Sequence, residues 1–284
     1  MNWAEGMWLI FLIVFVCSGG WVLEKVLRFQ TEHRMWSNNF VGRKIPYAGG
    51  TFLWLMCLFF AAGSSLLEQG GRDTFTVPAP ALAFFVLLIS IVYVAGLIDD
   101  VIGHAEIKGL RGHFRAWLKK GLVTTGLVKA MLTSLAALWA VSLYGGNVFS
   151  KALGFLMLTL SANAVNLLDV RPGRALKGSL FLIVLVLVGG ADQTVVFYLF
   201  PILAGMLWFL PDDVQGRAML GDSGSNVIGF SVGFCAMLSL TMTAQTVLAG
   251  MLVLLHVWAE KNSLSKLIDR WAVLRWLDRL GRLQ

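Results

Sequence analysis

Two adjacent aspartates, Asp99 and Asp100, close an apolar run in Gly96-Leu97-Ile98-Asp99-Asp100-Val101-Ile102-Gly103. Neighbouring carboxylates repel each other unless a cation or a proton intervenes. Hard oxygen ligands of this kind suit magnesium, and a lysine partner would serve as well. A second cluster, Leu220-Gly221-Asp222-Ser223-Gly224-Ser225-Asn226, precedes a later apolar run. Its small residues allow a tight turn. Ser223 or Ser225 is expected to cap the helix that follows, leaving first-turn N–H groups for an anion. Asp222 then stands where a metal could bridge to that anion. A serine-nucleophile reading of Gly-Asp-Ser-Gly-Ser is set aside, because no Gly-x-Ser-x-Gly elbow and no histidine partner accompany it.

A third cluster, Asn163-Ala164-Val165-Asn166-Leu167-Leu168-Asp169, ends another run. Steps of three put Asn163, Asn166 and Asp169 near one helix face. Asparagine offers both a donor and an acceptor, suited to a base, ribose or phosphate edge, or to helix–helix bonding. Lys44-Ile45-Pro46-Tyr47-Ala48-Gly49-Gly50 supplies a glycine pair that permits close backbone approach. Lys129 lies inside an apolar run, where an ammonium calls for a carboxylate or phosphate partner or must snorkel. His33, His104, His113 and His256 are scattered without zinc-ligand spacing and read as loop or interface residues.

The elements that position these groups are membrane helices. The 284 residues are 57% hydrophobic and 14% charged, where a soluble domain carries about 25% charged residues. The fold expected is an all-α polytopic bundle of about nine spans. They run Met7–Leu27, Gly50–Leu67, Pro78–Ile98, Leu122–Leu143, Phe149–Leu168, Ser179–Gly190, Gln193–Leu210, Asn226–Thr243 and Thr246–Trp258. The first is too long for a signal peptide and is followed by no small-residue cleavage site. Alternate loops are basic, carrying Arg34, Arg43 and Lys44, then Lys108 to Lys120, then Arg171, Arg174 and Lys177, then Arg217. The positive-inside rule puts these loops, and the aspartate clusters beside them, in the cytoplasm of a plasma (inner) membrane, with the N-terminus outside. Residues 1–259 form the membrane domain. Residues 260–284 form a basic tail that alternates Leu264, Leu267, Ile268, Trp271, Leu274 and Leu277 with Lys266, Arg270, Arg275, Arg279 and Arg282, an interfacial amphipathic helix. The net charge of +7 therefore points to anionic lipid and phosphate ligands, not nucleic acid. Cys17, Cys57 and Cys235 fall inside spans as small apolar packing residues.

Taken together, the motifs resemble the polyprenyl-phosphate N-acetylhexosamine-1-phosphate transferase superfamily (glycosyltransferase family 4). Its Pro-x-x-Gly-Gly loop is matched at Pro46, Gly49 and Gly50, and its Asp-Asp pair at Asp99 and Asp100. Its Asn-x-x-Asn-x-x-Asp is matched at Asn163, Asn166 and Asp169, and its Gly-Asp-x-Gly-Ser at Gly221, Asp222, Gly224 and Ser225. Lys129 resembles its fourth-span lysine, and Arg217 its basic residue before the last motif. Three departures accompany the likeness. Asp169-Val170-Arg171-Pro172 lacks a second aspartate, Pro211-Asp212-Asp213 replaces an expected asparagine, and a histidine-rich loop is missing.

The resemblance implies transfer of a hexosamine-1-phosphate from a UDP-sugar to undecaprenyl or another polyprenyl phosphate, releasing UMP, in cell-envelope polysaccharide synthesis. It implies Mg2+ held by Asp222 and Asp100. It implies Asp99, Asp100 and Asp222 as catalytic groups, with Lys44, Lys129, Asn163, Asn166, Asp169, Arg217, Gly221 and Ser225 binding substrate. The competing readings are a degenerate member that binds lipid-linked intermediates or partner enzymes, and a transporter. A homodimer stays open, as does the sugar.

Overall fold

In a bilayer each backbone polar group must be satisfied within the protein, so apolar segments close i→i−4 helical bonds along their whole length. The computed structural model describes residues 3–69, 77–103 and 109–282. In chain order the elements are α1 (Trp3–Glu32), β1 (Trp36–Asn38), β2 (Lys44–Pro46), α2 (Gly49–Gln69), α3 (Ala79–Ile102), α4 (Gly109–Lys120), α5 (Thr125–Tyr144) and α6 (Val148–Leu168). There follow α7 (Arg174–Val188), α8 (Gln193–Val214), α9 (Gly221–Ser239), α10 (Met242–Ala259), α11 (Leu264–Arg270) and α12 (Ala272–Arg279). The all-α polytopic bundle read from the sequence is the architecture found.

Seven helices among the described residues, α1, α2, α3, α5, α6, α8 and α10, are long and apolar enough to cross a membrane. The expected sixth span, α7, has 15 residues, about 22 Å of helix against a hydrocarbon core of about 30 Å. The expected eighth, α9, is diluted by glycines and serines. Outward-facing Ile10, Leu66, Leu138, Phe181 and Leu254 are each more than half exposed, an apolar exterior that lipid would cover.

α9 runs through the middle. Its residues from Ser223 to Met237 are buried without a break, as expected of a helix surrounded by other helices. Gly229 and Gly233 let it lie on the α6 backbone at Ser161–Ala162 and Met157–Leu158, where a Cβ would strike main-chain atoms. Aromatic rings fill the wider gaps. Phe15, Phe60, Phe197 and Phe200 join α1, α2 and α8 with centroids 4.9 to 5.8 Å apart, and Phe85, Tyr198 and Phe234 join α3, α8 and α9 at 5.0 to 5.4 Å. The three cysteines are free, and Cys57 and Cys235 are buried in the packing.

Four local features depart from the sequence reading. The expected single tail helix is two, α11 and α12, parted by extended backbone at Trp271. β1 and β2 form a small antiparallel hairpin where a loop was expected. α4 is a short amphipathic helix inside the basic loop after α3. α9 begins at Gly221 instead of near Asn226, so the Gly-Asp-Ser-Gly-Ser cluster is the first turn of a helix, not a turn before one.

Candidate functional site

The carboxyl end of α3, the second turn of α5, the first turn of α9 and the N-terminus of α2 converge at one end of the bundle. Glycines make the approach feasible. A methyl on Gly96 of α3 would lie 2.5 Å from the Ser223 Cα, and one on Gly50 would overlap the Ser223 side chain. The Pro46 loop is fastened by backbone bonds. Met219 donates to the Pro46 carbonyl at 3.0 Å, and Gly49 and Gly50 donate to the Met219 and Leu220 carbonyls at 3.2 Å. The Pro-x-x-Gly-Gly and Gly-Asp-Ser-Gly motifs, some 170 residues apart in sequence, therefore form one backbone unit.

The cap of α9 comes from another helix. Gly221 turns with a φ of 71°, and Leu220, at the cap position, offers no side-chain bond. Asp100 supplies the missing acceptor. Its Oδ1 accepts the Asp222 N–H at 2.7 Å, and its Oδ2 accepts the Ser223 N–H at 3.0 Å and the Ser223 hydroxyl at 2.7 Å. A carboxylate also answers the positive end of the α9 dipole. One expectation is corrected here. Neither Ser223 nor Ser225 caps the helix, and the N–H groups of Asp222 and Ser223 are already engaged. Asp100, expected as a metal ligand, has both oxygens committed to α9.

Asp99 and Asp222 face a different way. Lys129 Nζ donates to Asp99 Oδ2 at 2.7 Å and also to Asp222 Oδ2. The Lys129 and Asp99 side chains are less than a fifth exposed, and Asp222 about a third, so the cluster is recessed but reachable. Two carboxylates converge on one ammonium, with Asp100 adding a third negative charge close behind.

Around this cluster, Ser225 donates its hydroxyl to Asn166 Oδ1 at 3.0 Å, which ties α9 to the end of α6. Asn226 Nδ2 donates to the Asp222 carbonyl at 2.6 Å. Asp169 follows as the cap residue of α6. Burial pushes its carboxyl well above the ordinary range, and the nearby charges of Asp213, Asp222 and Asp100 push it further, against a backbone N–H of Gly221. A cleft of about 460 Å³ opens beside it, lined by Asn38, Phe40, Asp169, Arg171, Asp213 and Met219. The Arg171 guanidinium lies over the Phe40 ring at 4.8 Å along one wall. Asp213 was noted in the sequence only as a departure. It is buried and accepts the Gly173 N–H at 3.0 Å, holding the loop after Asp169.

Other expected residues lie apart. Asn163 is exposed on the outer side of α6, and its side chain makes no hydrogen bond among the described residues. Arg217 is more than half exposed and pairs with Asp212 at 2.6 Å. Lys44 lines a separate shallow basin with Arg34, Trp36, Ser37 and Asn38, on the hairpin. His113 Nδ1 lies 2.8 Å from the Thr124 hydroxyl at the start of α5, and His104 lies outside the described residues.

The sequence model of glycosyl transferase family 4 matches residues 82–240, from the first turns of α3 to the end of α9. The chain belongs to that family. It is thus a multi-pass membrane protein of a transferase family whose members serve lipid and sugar-nucleotide partners. The matched stretch holds the Asp99, Lys129, Asn166, Asp169 and Asp222 positions, and leaves out α1, the hairpin, α2 and the helices from α10 on. No individual curated protein matches the chain.

Magnesium is the metal that the resemblance implies, and the donor set suits it. Asp99 and Asp222 each give one oxygen to Lys129 and keep a second. Magnesium is commonly held by one or two carboxylates, with phosphate oxygens and waters completing its octahedron. No group of three or more His, Cys, Asp or Glu residues able to hold a metal by themselves occurs among the described residues.

Proposed function

We propose that the junction of α3, α5 and α9 transfers a hexosamine-1-phosphate from a UDP-sugar to a polyprenyl phosphate, with UMP as leaving group, at the cytoplasmic face. The observation that carries this reading is the convergence of Asp99, Lys129 and Asp222 from three helices, beside a cleft large enough for part of a nucleotide. An oxygen of the lipid phosphate attacks the β-phosphorus. The bond from that phosphorus to the bridging oxygen breaks, and its electron pair leaves on UMP. Such a transfer demands positioning and charge neutralisation more than covalent help from the protein.

Lys129 holds phosphate oxygens and bridges the two aspartates. Asp222, at the rim, and Asp99 are the groups that would hold Mg2+, which when bound supplies charge neutralisation on the donor diphosphate. Asp100 is a positioning residue that fixes the first turn of α9, and with it Asp222. Asn166 and Ser225 set the spacing between α6 and α9, and Asp169 faces the cleft as a nucleotide contact. The lipid phosphate is largely ionised near neutral pH, so removal of its proton adds little. The alternation of basic loops supports a cytoplasmic position for this end of the bundle.

Purified protein incubated with undecaprenyl phosphate, Mg2+ and a panel of UDP-N-acetylhexosamines should release UMP and form a diphosphate-linked lipid sugar detectable by mass. Lipid binding with no UMP release from any donor would instead favour the degenerate, binding-only reading.

A further inference from the structure

A surface helix in water turns its apolar side inward. α12 does the reverse. Asp278 is its buried residue. At 3.6 residues per turn, Ala272, Trp276, Val273, Leu277 and Leu274 fall on one continuous arc, and Asp278, Arg275 and Arg279 on the remainder. The apolar arc is bare: Val273 is 69% exposed and Trp276 62%, with Trp271 at 61% just before the helix.

The polar side is what grips the protein. Arg174, at the start of α7, donates Nε and Nη2 to the two oxygens of Asp278 at 2.7 and 3.0 Å, and Nη1 to the Ser265 hydroxyl at 2.8 Å. Lys177 donates to the Leu277, Asp278 and Leu280 carbonyls at 2.8 to 3.2 Å, satisfying acceptors at the end of α12 that have no helical partner. Arg282 donates to Asp278 Oδ1 and to the Pro172 carbonyl, both at 2.7 Å. The Asp169–Gly173 loop is therefore held by Asp213 on one side and by the tail on the other.

We propose that α11 and α12 form a strap that seats its apolar arc in the interfacial layer of an anionic leaflet while its carboxylate side clamps the loop beside the active cleft. Three observations select lipid as the occupant. α11 begins at Leu264, five residues after α10 ends at Ala259, a reach of at most about 17 Å, so the strap stays near the end of a membrane-crossing helix. Lys266, Arg270, Arg275 and Arg279 rim the arc and complement anionic headgroups. Tryptophans at 271 and 276 suit the headgroup level. A second copy of the chain would instead oppose this basic rim to itself.

The seat can be read without turnover. Full-length protein carrying Cys17→Ala and Val273→Cys, labelled at position 273 with an environment-sensitive fluorophore, is placed one copy per nanodisc. The discs contain phosphatidylcholine alone or with phosphatidylglycerol. Cys57 and Cys235 are buried, which keeps label off them. The expected result is blue-shifted emission quenched by brominated lipid chains, with stronger quenching when phosphatidylglycerol is present. Full access to aqueous iodide in both discs would overturn the proposal. So would shielding from iodide without bromolipid quenching, or shielding seen only when two copies share a disc.

Discussion

Two ionic clusters sit at the same end of this bundle, and their charge balance differs. At the α7–α12 clamp, one carboxylate, Asp278, meets the guanidinium groups of Arg174 and Arg282, and its oxygens are consumed by them. At the α3–α5–α9 junction, Asp99 and Asp222 share one ammonium, and Asp100 lies behind them at the start of α9. Only Asp100 is fully engaged there, by the start of α9. Unbalanced buried charge is costly and persists where something else completes it. The clamp has cations to spare and every Asp278 oxygen filled, so it holds structure together. The junction is short of one or two positive charges, a deficit that a bound cation would make good.

The sharpest way to break this comparison is to worsen the imbalance. Lys129→Met leaves Asp99 and Asp222 facing each other without their cation. Removing one partner from a buried ionic group costs about 3 kcal/mol or more, so a clear fall in thermal stability in detergent is expected. If the junction is a cation site, Mg2+ should restore part of that loss in the variant. Unchanged stability without Mg2+ would show that the three residues do not depend on one another. A smaller effect, and one on rate alone, is expected at Asp222. Asp222→Asn keeps the shape, removes a charge, and should lower UMP release about 100-fold, the usual order for a lost electrostatic stabiliser. Asp100→Asn, which alters only the cap, should cost about 1 kcal/mol of stability and much less rate. Equal rate losses at both positions would erase the distinction between ligand and cap.

What the sequence disclosed follows the range of the forces involved. The bundle was legible because each long helix carries its own apolarity, and the four motifs were legible because chemistry restricts their residue types. The cap of α9 was not legible, since Asp100 lies 122 residues before the N–H group it accepts, and local rules pointed to Ser223 instead. The same holds for the clamp, where Arg174 and Asp278 are 104 residues apart and neither stands out among neighbouring charges. Asn163 failed for a subtler reason. Positions three apart differ by about 60° around a helix. The edge of the bundle falls between Asn163 and Asn166, leaving the first exposed and the second bonded to Ser225. α4 escaped notice because a twelve-residue basic segment reads as a loop when the signal sought is a membrane span.

The least disruptive test sharpens the other half of the comparison, the claim that the clamp is closed by charge. Burial alone would raise the Asp278 carboxyl, but the hydrogen bonds and charges of Arg174 and Arg282 outweigh it and hold it below the ordinary carboxylate range. A docked strap therefore binds fewer protons there than a released one, and docking gains strength as pH rises through that interval. The contribution is complete above the ordinary carboxylate range and is lost as pH falls towards the depressed value. Hydrogen exchange of residues 264–282, corrected for the intrinsic pH dependence of exchange, should show protection declining over that acidic window. In Asp278→Asn the protection should be weaker at neutral pH and should lose this pH dependence, while helices such as α9 keep theirs unchanged. A strap in Asp278→Asn that stays as protected as the wild type would mean that the carbonyl bonds of Lys177, not the carboxylate, carry the docking.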